Sequence, residues 1–121
     1  MLDREGLQVA YLGVALAHFL DVETGDIIDQ PFEEEPPGDA SRYRRIPTRT
    51  DASEEEDRRV FVEKMQPSPL RDALARLIDD GSQFRQLLTE DRRVERSFFN
   101  FKNDRASAAI EEWLREEGLR D

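Results

Sequence analysis

Along the chain the spacing of apolar positions changes period. Between Asp3 and Leu12, Leu7, Ala10 and Tyr11 share one face at helical spacing. This predicts a short N-terminal helix, interrupted at Gly13. From Val14 to Val22 the period shortens to two. Val14, Leu16, His18, Leu20 and Val22 alternate with Ala15, Ala17, Phe19 and Asp21, which suits a strand. A helix continued through Ala17 would bury the same groups. Glu23-Thr24-Gly25 then separates Phe19-Leu20-Asp21-Val22 from Asp26-Ile27-Ile28. A three-residue loop ending in glycine is the type I turn with a bulge, whose last position needs positive φ. Glycine takes that angle at no steric cost, so a β-hairpin is expected here.

The pattern breaks at Gln30–Ser41. This stretch carries Pro31, Glu33-Glu34-Glu35, Pro36-Pro37-Gly38 and Asp39. Prolines donate nothing to a ladder and like charges repel, so residues 30–41 read as an exposed, mobile, acidic proline-rich loop. Tyr43–Ile46 predicts a short third strand stopped by Pro47, and Thr48–Asp51 a further loop.

From there on the periodicity is helical. Ser53 with Glu56 resembles a capping box ahead of Val60, Phe61 and Met65. Ser68-Pro69 is a second start, with proline at the first helical position. Leu70, Ala73, Leu74, Leu77 and Ile78 follow, with Gly81 as the expected terminator. Ser82 is the expected cap of a short helix holding Phe84, Leu87 and Leu88. Thr89 is the expected start of another, with Val94, Phe98 and Phe101 on one side and Phe99 outward. A last helix is expected from Asn103 or Asp104. It buries Ala106, Ala109, Ile110, Trp113 and Leu114 and stops at Gly118, with Leu119 placed for a Schellman contact. Strands followed by helices indicate the α+β class. The expected architecture is a small antiparallel sheet of two or three strands built on the hairpin. About four C-terminal helices pack against it, beside the short N-terminal helix. With 121 residues, 1–121 is expected to form a single domain.

Composition narrows the chemistry. There is no cysteine and a single histidine, which excludes disulfides, thiolate nucleophiles, and Cys- or His-paired metal motifs. The apolar run Leu7–Leu20 is broken by Gln8, Gly13 and His18 and falls short of the roughly 20 residues of a membrane span. Asp3, Arg4 and Glu5 ahead of it are wrong for a signal peptide, so a cytoplasmic location without membrane partners is expected. Acids outnumber bases 28 to 18, a net charge of -10. The excess is uneven. Residues 1–66 carry 16 acids against 8 bases, and residues 67–121 carry 12 against 10. Within 81–106 the sign reverses: Arg85, Arg92, Arg93, Arg96, Lys102 and Arg105 outnumber Glu90, Asp91, Glu95 and Asp104.

No Gly-x-Ser-x-Gly, P-loop or Gly-x-Gly-x-x-Gly pattern is present. His18, in an apolar run with no neighbouring serine or threonine, reads as structural. Adjacent acids such as Asp21/Glu23 and Asp79/Asp80 are what 28 acids produce by chance. Counted from Asp21, glycine falls fifth and Phe32 twelfth, which fails the calcium-loop pattern of glycine sixth and glutamate twelfth. No catalytic residue, metal ligand or cofactor is therefore assigned. Arg85, Arg92, Arg93 and Arg96, interleaved with Phe84, Phe98 and Phe99, form the candidate binding surface.

Four segments, in order, resemble the bacterial uncharacterised protein family 0158. They are Phe19-Leu20-Asp21-Val22-Glu23-Thr24-Gly25, Arg42-Tyr43-Arg44-Arg45-Ile46-Pro47, Gly81-Ser82-Gln83-Phe84-Arg85, and the aromatic helix Phe98–Phe101 closing in Trp113-Leu114-Arg115-Glu116-Glu117-Gly118-Leu119. The chain departs from the family's pattern at Gln86-Leu87, where relatives carry Arg-Phe, and at Phe98, where a tryptophan is common. The resemblance implies a bacterial cytosolic α+β domain and imports no activity. The resulting expectation is a non-catalytic protein-interaction module whose partner is another protein or a second copy of the chain. Nucleic-acid binding through residues 85–105 is the alternative, opposed by the net charge. A carboxylate-dependent enzyme using Asp21 and Arg85 is the third reading; its structural counterpart is Arg85 pairing with Asp21 or capping carbonyls at a helix end.

Overall fold

The computed structural model describes residues 2–119; Met1, Arg120 and Asp121 lie outside the described residues. In chain order the elements are α1 (Arg4–Leu12), β1 (Ala17–Asp21), β2 (Ile27–Gln30), β3 (Tyr43–Arg45), α2 (Asp51–Lys64), α3 (Pro69–Ala75), α4 (Gly81–Leu88) and α5 (Arg92–Glu116). The class is α+β, as expected. No helix among the described residues is long and apolar enough to cross a membrane. The chain divides into two units, residues 50–104 and the remainder on either side.

In the unit formed by both chain ends, Asp3 caps α1 by accepting from the Gly6 N–H at 3.0 Å. Gly6 has no room for more: a Cβ there would sit 2.8 Å from Ile27 Cδ1. The sheet order is β2-β1-β3, antiparallel throughout. At the hairpin Gly25 adopts φ +82° and donates to the Asp21 carbonyl at 2.7 Å, while Asp21 N–H donates to Asp26 O at 2.9 Å. The bulged turn expected from Glu23-Thr24-Gly25 is in place. β1 starts three residues later than the alternation suggests, leaving Val14 and Leu16 exposed. Its partner sets that limit. Ala17 pairs with Gln30, and the next residue of that strand is Pro31, which has no N–H for the ladder.

Leu20 enters a core made with Leu7, Ala10, Ile46, Ile110, Trp113 and Leu114. Phe19, on the opposite pleat, lies under the Arg45 guanidinium 5.6 Å from its centroid. The loop after β2 is exposed, as expected, yet tied down: buried Gln30 donates from Nε2 to the Glu35 carbonyl at 2.7 Å. α5 ends in the expected Schellman motif. Gly118 takes φ +70°, and the Leu119 and Gly118 N–H groups donate to Leu114 O and Arg115 O.

Residues 50–104 gather a second core from Phe61, Val62, Leu74, Phe84, Leu88 and Phe98. Phe98 sits edge-on to Phe61 at 5.1 Å and 5.3 Å from Phe84. Several helix boundaries move from their sequence-based positions. The capping box is Thr50 with Ser53, three residues before the expected one: Thr50 Oγ1 accepts from Ser53 N–H at 3.1 Å. Ser68-Pro69 opens α3 as expected, but α3 ends at Ala75. Gly81 starts α4 rather than closing α3, and its cap is Asp80, not Ser82. Thr89 ends α4, its hydroxyl donating back to Gln86 O at 2.6 Å. Asp91 Oδ1 accepts from the Arg93 and Val94 N–H groups and opens α5. The two helices expected either side of Asn103 are one. Asn103 and Asp104 are exposed there, where polar side chains in solvent do not compete with the helical backbone.

Candidate functional site

α4 and the first turns of α5 carry the four arginines singled out from the sequence. All four are exposed, and none of their guanidinium groups makes a hydrogen bond or ion pair with another described residue. The neighbouring cations behave differently. Lys102 Nζ reaches Glu54 Oε2 at 2.7 Å. Arg58 Nε donates to Ile78 O at 2.6 Å and Arg71 Nε to Val62 O at 3.0 Å, so both are spent on backbone carbonyls.

The helical repeat splits the arginine set into three places. Arg92 and Arg96 are one turn apart, so they share a face, and Phe99 and Asn100 extend it by another turn. With Thr89 and Glu95 they line an open cleft of about 520 Å³. Arg85 lines a separate cleft with Gly81, Ser82 and Gln86, touching the first only through Thr89. Arg93 is one residue, about 100°, round the helix from Arg92. It borders a third cleft of about 410 Å³ with Phe61, Lys64, Met65 and Val94. The four arginines of the candidate surface thus border three separate clefts, of which the one beside Arg93 has an apolar floor and a cationic rim. From the sequence Phe61 and Met65 read only as an apolar helical stripe, and nothing distinguishes Lys64 as a site residue. The signal was available only in part, since Lys64-Met65 ends the apolar stripe of α2, while its proximity to Arg93 is tertiary.

Asp21 answers the carboxylate question for its own position. It is 4 % exposed. Arg42 grips it in a fork, Nε to Oδ1 at 3.1 Å and Nη2 to Oδ2 at 2.9 Å. Oδ1 also accepts from the Glu23 N–H at 2.9 Å. The Arg42 hydrogen bonds foremost, with the turn N–H groups adding to them, hold the carboxyl far below the ordinary range despite burial. A general acid needs the opposite shift, so Asp21 is a clamp for the hairpin. Its partner is Arg42, not Arg85, so of the two structural roles the sequence offers Arg85, the pairing with Asp21 is not made.

His18, 6 % exposed, is also fully engaged. Nε2 donates to the Gly13 carbonyl at 2.9 Å and Nδ1 lies 2.6 Å from Asp29 Oδ1, its directly opposed neighbour on β2. The ring ties the end of α1 to the sheet. Among the described residues no three acidic or histidine side chains gather to hold a metal ion.

Compared with known proteins, the chain finds no counterpart: no family model, no curated protein and no solved structure matches it.

Proposed function

We propose that this chain is a non-catalytic protein-interaction module whose arginine-bearing helical face receives an acidic partner. One observation carries the reading. In a chain with a net charge of -10, Arg85, Arg92, Arg93 and Arg96 stand exposed with no ionic partner among the described residues. Guanidinium forks match carboxylates in geometry as well as charge. The apolar groove beside Arg93 supplies what charge alone lacks, a place to desolvate an anchoring side chain. The setting we propose is the bacterial cytosol, supported by the resemblance to family 0158.

The test is a fluorescently labelled peptide carrying one aromatic residue and several glutamates, titrated by anisotropy. Exposed ion pairs contribute roughly 0.2–1 kcal/mol each. Replacing all four arginines by alanine is therefore expected to weaken binding at least about fourfold. Equal affinity of the fourfold variant, or no binding by the native chain, overturns the reading.

A second reading, nucleic-acid binding, is favoured by Phe99, 42 % exposed beside Arg92 and Arg96, since bases stack on exposed aromatics. It requires a single-stranded oligonucleotide to bind at low salt, with affinity falling steeply as salt rises and on Phe99→Ala. The acidic-partner reading expects no such binding.

A further inference from the structure

We propose that the groove bordered by Lys64 and Arg93 takes the Phe32–Glu35 segment of a second copy of this chain. The inference rests on the acidic-partner reading and names the partner. Both halves of the contact are present on one sequence. The groove has an apolar floor, Phe61, Met65 and Val94, in which a ring can bury and a flexible thioether can adjust to it. Its rim is cationic: the Lys64 ammonium rests 5.4 Å from the Phe101 centroid, and neither it nor the Arg93 guanidinium has a carboxylate partner among the described residues.

The segment matches in chemistry and order. Phe32 is 52 % exposed, held on one side by the Arg45 guanidinium 5.8 Å from its centroid. Glu33, Glu34 and Glu35 follow it, all exposed, and none of their side chains has a hydrogen-bond or ion-pair partner among the described residues. An aromatic anchor thus precedes three carboxylates, as the groove places an apolar floor beside two cations. The presentation is also ordered in advance. Gln30 Nε2 holds the Glu35 carbonyl, and Gly38 lies flat on the Tyr43 ring, where a Cβ would come within 2.7 Å. Ordering a loop on binding normally subtracts from affinity, and here that cost is already met within the fold. The two acidic copies repel at long range, but at about 0.15 M salt charges more than ~8 Å apart are largely screened, which leaves the local match to decide.

The contact joins different surfaces of the two copies, so it either closes reciprocally into a ring or propagates. Light scattering after size-exclusion chromatography reads either outcome as mass rising with concentration. Phe32→Ala is expected to shift the midpoint of that rise at least tenfold upward. So is the loop reversal E33K/E34K/E35K, and so is the groove reversal K64E/R93E. The decisive arm mixes the two reversals. The lysine loop of one then faces the glutamate groove of the other, and a complex forms only in the mixture. All the substituted residues are exposed, and circular dichroism of each variant checks folding. A native chain that stays monomeric at millimolar concentration, or a mixture that forms no complex, overturns the inference. If the labelled acidic peptide still binds in that case, the arginine face serves a foreign partner and only the second-copy assignment falls. If the peptide fails too, both fall.

Discussion

Asp21 shows how much one carboxylate can organise. It accepts from the turn backbone, grips Arg42 and sits at the end of the central strand, where Tyr43 is its partner on β3. Its pKa is depressed in the folded state, while an unfolded aspartate titrates near 3.9. The sign follows from linkage. The stabilisation is present in full above the unfolded value and is lost as pH falls below about 4 towards the depressed folded value. Asp21→Asn should lower the melting temperature by several degrees at pH 7, and the difference from the native chain should shrink steadily as pH drops through that range. Thermal denaturation followed by circular dichroism at stepped pH checks it; a gap that holds constant to pH 2 would assign the effect to packing instead. Asp21 was visible in the sequence as a hairpin residue. Arg42 has no sequence signal beyond the Arg42–Pro47 segment, because a contact across 21 positions leaves no periodic trace.

Elements with local causes were legible, and those with tertiary causes were not. Gly25 and Gly118 needed positive φ, Ser68-Pro69 needed an N-terminus, and Pro47 ended a strand, each for reasons contained within a few residues. The α3–α4 boundary failed because Gly81 is more often a helix end than a first residue. Here Asp80 supplies the cap, and Gly81 lets the Arg58 guanidinium pack against the start of α4, 2.9 Å from where a Cβ would be. The α2 cap failed because both Thr50 and Ser53 have a plausible partner three residues on. The two positions can be told apart by experiment. Thr50→Ala should cost about 1 kcal/mol. Glu56→Ala, essential to the box expected at Ser53, should stay within about 0.5 kcal/mol of the native chain. Urea unfolding of both variants measures this, and a larger loss at Glu56 than at Thr50 would contradict the observed cap. The candidate site was legible as a list of arginines and illegible as a surface. Helical phase separates Arg92 from Arg93, and the apolar floor under Arg93 comes from α2, some thirty residues away in sequence.

For the molecule taken whole, charge is the dominant property. A net charge of -10 opposes non-specific association at neutral pH, and titrating carboxylates towards the pI near 4.6 removes that opposition. Solubility should pass through a minimum close to that pH and recover below it, measured as protein left in the supernatant across a pH series. A minimum near neutrality would mean that surface pairing, not net charge, governs association.

The chain's two ends share one core while its middle builds another, and this fixes an order of events on the ribosome. When Asp104 has been added, every residue of the aromatic core around Phe98 already exists. The hairpin made long before it must wait, still lacking Ile110, Trp113 and Leu114. The hairpin, synthesised before the aromatic core, is thus completed after it, and its uncovered strands are what a nascent-chain chaperone would meet.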